Sequence, residues 1–125
     1  MERVAFVMHV KEGEEEEYRR RHREVWPAVL ADLEQAGVRS MSIFMVDRQL
    51  FLYMEAENYA EAVRILAESP ESVRWEEYMA PIMEDDSGDD YDPYDAYPDG
   101  WPEVFHWQVG GGGEGRDTVS KEVKT

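Results

Sequence analysis

The chain has 125 residues, 42% hydrophobic and 34% charged, which suits a single globular domain and excludes a fully disordered chain. It contains no cysteine, which excludes disulfides, thiolate nucleophiles and cysteine-ligated metal centres. Its net charge of −16 repels phosphate groups, so we expect no nucleic-acid partner.

The N-terminal residues predict neither a secretory signal nor a membrane anchor. The sequence MERVAFVMHVKEGEEEE turns acidic within twelve residues, and no apolar run approaches the roughly 20 residues that span a bilayer. We therefore expect a cytoplasmic protein with no membrane partner. The acidic excess fits either an ordinary acidic enzyme or an adaptation to a salty cytoplasm, in which salt screens carboxylate repulsion.

The first half of the chain predicts a strand, a long helical stretch and a hairpin. Residues 3–10 alternate apolar side chains on both faces, which is typical of a central strand. Residues 14–36 have helical composition, but Pro27 should kink or restart the helix near residues 24–26, and Gly37 should end it. Strands are predicted at 39–46 and 50–56, joined by a hairpin connection at residues 47–49.

The second half predicts another helix, a long acidic loop and a last strand. Residues 59–69 form the helix, Pro70 ends it, and helical character resumes as far as Pro81. The loop at about 84–102 is rich in Asp, Gly, Pro and Tyr, and it is expected to be a lid, an interface segment or a mobile insertion. A strand at 103–109 closes a single domain of residues 1–109, and residues 110–125 are expected to form a flexible tail.

The element order β-α-β-β-α-β predicts an α+β fold of the ferredoxin-like type, with an antiparallel sheet and helices on one face. The alternation in the strands leaves large apolar residues on the other face of the sheet. The commonest cover for such a face is a second copy of the chain, so a symmetric homodimer is expected.

Three histidines are candidate acids or bases: His9, His22 and His106. His9 and His106 fall in predicted strands, where histidines are usually packed and hydrogen-bonded. The first and last strands can be neighbours, but no third metal ligand is apparent. His22 lies one turn after Tyr18 and one turn before Trp26 on one helix face. That stripe fits either the core or the wall of a pocket.

Other patterns that carry chemistry are weak. Trp75 fits either a packing anchor or the rim of a pocket for a flat ligand such as a sugar ring. The acidic run at 85–90 lacks the spacing of an EF-hand, and no phosphate-binding glycine loop or nucleophile elbow is present. No metal site is predicted.

The segment AFVMHVKEGEEEEYRRRHREVWPAVL resembles the start of the L-rhamnose mutarotases, where a strand xxAFVMxV leads into a helix with E-x-Y-x-x-R-H-x-x-x-W-P. The hairpin SIFMVDRQLFLYMEAE, the motif RWEEYM and the block EVFHW resemble later parts of the same family. The resemblance covers roughly residues 1–84 and 102–107.

The resemblance implies a dimeric ferredoxin-like enzyme that interconverts the α and β anomers of L-rhamnose without cofactor or metal. It implies that His22 is the catalytic acid and that Tyr18 and Trp75 contact the sugar. Two pocket positions depart from the family: Met41 replaces a common Tyr, and Glu76 replaces a second Trp. Catalysis is therefore expected to be retained, with L-rhamnose or a related 6-deoxy sugar as substrate. Glu76 is either a hydrogen-bond acceptor for sugar hydroxyls or a solvated surface carboxylate.

Two functions from other classes stay open at this point, because a fold does not dictate its function. One is a ferredoxin-like dimer that binds a small ligand without catalysis. The other is a cofactor-free oxygenase or isomerase of the dimeric α+β barrel type, in which the pair Tyr18 and His22 would have no role.

Overall fold

The computed structural model describes residues 1–85 and 88–110. Its helices and strands, in chain order, are β1 (Glu2–Val10), α1 (Glu15–His22), α2 (Pro27–Gln35), β2 (Val38–Val46), β3 (Gln49–Ala56), α3 (Tyr59–Glu68) and α4 (Pro70–Met79), then a short 3-10 turn (Ala80–Ile82) and β4 (Met83–Glu84).

The four strands form one antiparallel sheet in the order β2-β3-β1-β4. The central pairing of β1 with β3 runs from Glu2 opposite Ala56 to His9 opposite Gln49. This order and orientation are compatible with the expected ferredoxin-like α+β fold. The prediction that β1 is a central strand is confirmed.

The helical stretch 14–36 is interrupted at the expected place. α1 ends at His22, and Trp26 takes an extended backbone conformation with ψ 134°. Pro27 is the first residue of α2, where its missing N–H costs no hydrogen bond and its fixed φ suits a helix. Gly37, with φ 90°, ends the stretch as predicted. The interruption separates α1 from α2 and leaves residues 23–26 between them.

The core lies between the helices and the inner face of the sheet. Alternate residues of β1 and β3 point into it, and Phe6, Val10, Leu50 and Met54 are fully buried. Asp32 of α2 accepts hydrogen bonds from the hydroxyls of Ser69 and Ser72, which join it to the start of α4. These hydrogen bonds join α2 to α4 on one face of the sheet.

The prediction of a strand at 103–109 is wrong for the chain by itself. Met83–Glu84 pairs with the end of β1 instead, and residues 103–109 form no strand. The chain crosses the free edge of β1, where the Trp101 N–H donates to the carbonyl of Ala5 at 2.8 Å. A Cβ on Gly100 would lie 2.6 Å from Val4 Cγ1, so only glycine fits the crossing. Beyond it the segment pairs with no strand among the described residues, and most of its side chains are exposed.

The described part of the acidic loop returns to the body of the domain. Tyr97 meets Phe6 edge-on with ring centroids 6.4 Å apart, and the Tyr59 hydroxyl donates to the carbonyl of Pro98 at 2.6 Å. The predicted tail at 110–125 lies outside the described residues, apart from Gly110. Within residues 1–85 and 88–110, no helix is long and apolar enough to cross a membrane.

Candidate active site

A cavity of about 220 Å³ lies between the inner face of the sheet, the helices α1, α2 and α4, and the loop. Its apolar wall comes from the sheet and α2, through side chains such as Met8, Val29, Leu33 and Ile43. The side chains that carry hydrogen-bonding groups come from α1, α4 and the loop: Tyr18, His22, Trp75, Glu76, Tyr91 and Tyr97. A cavity that is mostly apolar with a few convergent polar groups is typical of a small-ligand site.

His22 is the last residue of α1 and lines this cavity. Its Nδ1 lies 3.2 Å from the backbone carbonyl oxygen of Tyr18, and since a carbonyl only accepts, Nδ1 carries the hydrogen. Burial lowers the pKa of His22 from its usual 6.5, opposed by the same backbone hydrogen bond. The imidazole is therefore neutral at pH 7, with the lone pair on Nε2.

Tyr18 lies one turn before His22 and is 5% exposed. Its ring stacks on the imidazole with centroids 4.2 Å apart and an interplanar angle of 26°. Burial raises the pKa of the Tyr18 phenol, helped by the negative charge of Glu76, so the hydroxyl keeps its proton at neutral pH. It is a neutral hydrogen-bonding group beside His22.

Trp75 of α4 closes the site from the other side and is 6% exposed. Its indole meets His22 edge-on at 5.5 Å and Trp26 edge-on at 5.2 Å. Trp26, the third member of the predicted stripe, packs against Trp75 and Tyr78. It is not among the residues that line the cavity. The stripe therefore divides: Tyr18 and His22 face the cavity, and Trp26 supports Trp75.

The two positions that depart from the family pattern, Met41 and Glu76, also line the cavity. Met41 is half-buried in β2. Glu76 is half-buried in α4, and its Oε1 accepts a hydrogen bond of 3.0 Å from the hydroxyl of Tyr91. Burial raises the pKa of Glu76 from 4.5 to about 7, although the Tyr91 bond lowers it. The adjacent Glu77 is exposed, so Glu76 is set apart from the surface carboxylates of this acidic chain.

Tyr91 and Tyr97 are site residues that the sequence reasoning missed. Both belong to the acidic loop and line the cavity. Burial raises the pKa of each phenol above its usual 10. The signal in the sequence was the unusual content of tyrosine in a polar loop, since solvated loops rarely need large aromatic side chains.

His9 and His106 do not line the cavity. His9 lies near the end of β1, opposite Glu84. His106 lies in the segment after the crossing of β1, and its Nε2 is buried without a hydrogen-bond partner among the described residues. Over residues 1–85 and 88–110, no three His, Asp or Glu side chains come together in a way that could hold a metal ion.

Comparison with known proteins assigns the chain to a family. The family model described as L-rhamnose mutarotase matches residues 3–107. A protein of Opitutus terrae named L-rhamnose mutarotase is 43% identical over 108 residues, which are 85% of this chain and 98% of that protein. One of Listeria monocytogenes with the same name is 42% identical over 85 residues, or 66% of this chain and 81% of that protein.

A solved structure agrees. The crystal structure of an L-rhamnose mutarotase from Formosa agariphila has a TM-score of 0.67 and 26% sequence identity to this chain, covering 86% of this chain and all of that one. The match of the family model over most of the chain, the identities above 40% and the similar fold lead to one conclusion: the chain belongs to the L-rhamnose mutarotase family.

Proposed function

We propose that this protein is an L-rhamnose mutarotase, an isomerase that interconverts the α and β anomers of L-rhamnose. The observation that carries the proposal is a family match over residues 3–107 combined with a cavity that presents His22, Tyr18 and Trp75 together. The resemblance of the sequence assigns the acid and the sugar contacts to these same three residues.

Anomer exchange opens the hemiacetal ring and closes it again on the other face of C1. On opening, the bond between C1 and the ring oxygen breaks, the anomeric hydroxyl loses its proton, and the ring oxygen gains one. After rotation about the bond between C1 and C2, closure reverses these transfers. The reaction is proton transfer between oxygens, to which a well-placed acid or base contributes typically about 10²–10⁴-fold.

We infer that His22 is the catalytic residue for one of these transfers. The neutral ring has its lone pair on Nε2, so it can accept the anomeric proton when the ring opens. The imidazolium formed in this way is the acid that returns the proton when the ring closes. Tyr18 lines the same cavity and keeps its phenol proton, so it can donate a hydrogen bond to a sugar hydroxyl. The indole of Trp75 supplies a flat apolar surface for one face of the sugar.

The apolar wall suits a 6-deoxy sugar. Met8, Val29, Leu33 and Ile43 offer no hydrogen-bonding side-chain groups, so a methyl group is favoured there over a hydroxymethyl group. Met41 extends the same wall. The sugar is therefore proposed to place its methyl group towards the sheet and its hydroxyls towards α1 and α4.

We also infer that the protein acts as a homodimer. The open face of the sheet carries exposed Phe44, Val46 and Phe51, and the segment beyond the crossing adds further exposed apolar residues: Trp101, Val104, Phe105, Trp107 and Val109. Phe51 and Trp101 already touch, with ring centroids 6.3 Å apart. A second copy of the chain is the occupant proposed, since it would cover both the face and the extended segment.

The domain itself is proposed to span residues 1–109, because the family match ends at residue 107 and the apolar segment ends at Val109. A chain that ends at residue 109 should fold and exchange anomers like the full chain.

The test of function is exchange NMR of L-rhamnose, which measures interconversion of the two H1 signals, after subtraction of the uncatalysed rate. The proposed function requires exchange that grows in proportion to enzyme concentration. Binding seen by saturation difference without faster exchange would make the protein a sugar-binding module. If the protein neither binds L-rhamnose nor speeds its exchange, the assignment of this sugar as substrate is overturned.

A further inference from the structure

We propose that Glu76 is a second catalytic residue, the acid that exchanges a proton with the ring oxygen of the sugar while His22 exchanges one with the anomeric hydroxyl, and that Tyr91 is the positioning residue for its carboxyl group. This proposal rests on the proposed function, anomer exchange, which needs a proton donor for the ring oxygen.

The reaction moves two protons, and one imidazole does not supply both at once. When His22 accepts the anomeric proton, the ring oxygen still needs a donor as its bond to C1 breaks. With Glu76 protonated, its O–H gives that proton, so opening leaves a carboxylate, an imidazolium and a neutral open-chain aldehyde. Closure returns both protons to their starting groups, and no oxidant or other reactant is consumed.

Glu76 is the one carboxylic acid among the described residues that line the cavity with His22. The tyrosines of the same wall are poorer donors, because burial raises the pKa of each of them. Trp75, which precedes Glu76 on α4, packs edge-on against His22 at 5.5 Å. Glu76 therefore lines the same cavity as the imidazole and follows directly on α4 the side chain that packs on it.

Tyr91 fixes this carboxyl group. Its hydroxyl donates to Oε1 of Glu76 at 3.0 Å, so that oxygen is occupied and the other remains for the substrate. The next residue offers a matched pair outside the cavity: the Tyr94 hydroxyl donates to Glu77 Oε2 at 2.6 Å, and both Tyr94 and Glu77 are exposed. The two carboxyl groups are neighbours on α4 and the two tyrosines belong to the loop, but of these two pairs only Glu76 and Tyr91 line the cavity.

The surroundings of Glu76 favour its protonated form. Elements packed around it contribute apolar side chains from α3, such as Val63, Leu66 and Ala67. The titratable groups that line a cavity with it are Tyr18 and His22 from α1 and four residues of the loop: Tyr91, Tyr94, Asp95 and Tyr97. None of these is a cation at neutral pH, and burial holds the pKa of Glu76 at about 7. The pKa of Glu76 is raised and that of His22 is lowered, which is the pattern expected of an acid and a base that transfer protons together.

The experiment is the pH dependence of kcat/KM for anomer exchange of L-rhamnose from pH 5 to 9. For the wild type, kcat/KM should follow a bell-shaped curve. It should rise on the acidic side as His22 loses its proton, and fall on the alkaline side as Glu76 loses its proton near pH 7. Glu76→Gln should lower the rate by about 10²-fold or more, mainly in kcat, and remove the alkaline limb. The control Glu77→Gln should match the wild type.

Tyr91→Phe tests positioning without touching the acid. Because the Tyr91 bond lowers the pKa of Glu76, its loss should move the alkaline limb to higher pH. Tyr94→Phe, its matched control, should leave the profile in place. Rates within twofold of wild type for Glu76→Gln, with the alkaline limb intact, would refute the proposal.

A direct titration separates this proposal from the proposed function. Carboxyl carbon NMR, with the Glu76 signal assigned by its loss in Glu76→Gln, should show a midpoint near 7 whether or not L-rhamnose is the substrate. A midpoint near the usual 4.5 would overturn the role of Glu76 even in an active enzyme. A wild type that exchanges no L-rhamnose, with Glu76 titrating near 7, would instead refute the choice of sugar.

Discussion

The imidazole of His22 is held by the backbone of Tyr18 and not by its hydroxyl. Nδ1 of His22 donates to the Tyr18 carbonyl at 3.2 Å while the two rings stack at 4.2 Å. The helix therefore fixes both the tautomer and the direction of the ring, because residues four apart lie on one face. The phenol hydroxyl of Tyr18 takes no part in holding the imidazole.

His22→Ala should slow anomer exchange of L-rhamnose by about 10²–10⁴-fold, since the base for the anomeric proton is lost. The protein should keep its fold, because His22 ends α1 and is only half-buried. Exchange NMR measures the rate, and Arg23→Ala, an exposed change one residue further on, is the control. An exchange rate within twofold of wild type would remove His22 from the mechanism.

Tyr18→Phe should raise KM with little change in the pH dependence of the acidic limb. The backbone carbonyl and the ring stack that hold His22 remain, while one hydrogen bond to the sugar, about 1 kcal/mol, is lost. Steady-state exchange rates at several sugar concentrations give KM. A shifted acidic limb would instead show that the hydroxyl sets the state of the imidazole.

Changes at Glu76 should separate proton donation from sugar recognition. Loss of a proton donor to the ring oxygen, as in Glu76→Gln, should slow all sugars by a similar factor. Glu76→Trp also removes the partner of the Tyr91 hydroxyl and reshapes the wall, so it should change the relative rates among 6-deoxy sugars and pentoses. The measurement is a panel of exchange rates. An unchanged profile with unchanged stability would place Glu76 outside the sugar site.

The assembly can be tested at the open face of the sheet. Phe44 in β2 is 62% exposed, and a charge there should prevent a second copy from covering the face. Phe44→Arg should sediment as a monomer at micromolar concentration, where the wild type should be a dimer. Ala60→Arg adds the same charge to the exposed side of α3 and should stay dimeric. A monomeric wild type would contradict the proposed assembly.

Salt should stabilise the fold if the acidic excess is an adaptation. A net charge of −16 on 125 residues is self-repulsive, and the Debye length falls from about 10 Å at 0.1 M to about 3 Å at 1 M salt. The melting temperature should then rise markedly from dilute buffer to molar potassium chloride. A melting temperature that does not change with salt would contradict the interpretation of the acidic composition as an adaptation to salt.

Local rules in the sequence determined where most helices and strands begin and end. Pro27 restarts a helix because its ring fixes φ and it has no N–H to leave unpaired, and Gly37 ends one because it alone adopts φ 90° without strain. The alternation in residues 3–10 placed Val4, Phe6 and Val10 on one face of the strand, and the structure shows that this face is the buried one. The helical spacing of Tyr18 and His22 placed both on one face, where the cavity lies. Each of these depends on neighbours within a few positions.

Tertiary structure alone determined which residues form the fourth strand and which loop residues add polar groups to the cavity. Residues 103–109 have the composition of a strand, yet a strand needs a partner edge, and in one copy of the chain Met83–Glu84 and the crossing at Gly100 and Trp101 meet the free edge of β1. The bond between Tyr91 and Glu76 joins residues 15 apart across an irregular loop, where no periodicity relates them. Such contacts are set by which surfaces meet after the chain has packed, and propensity or spacing along the sequence carries no information about that.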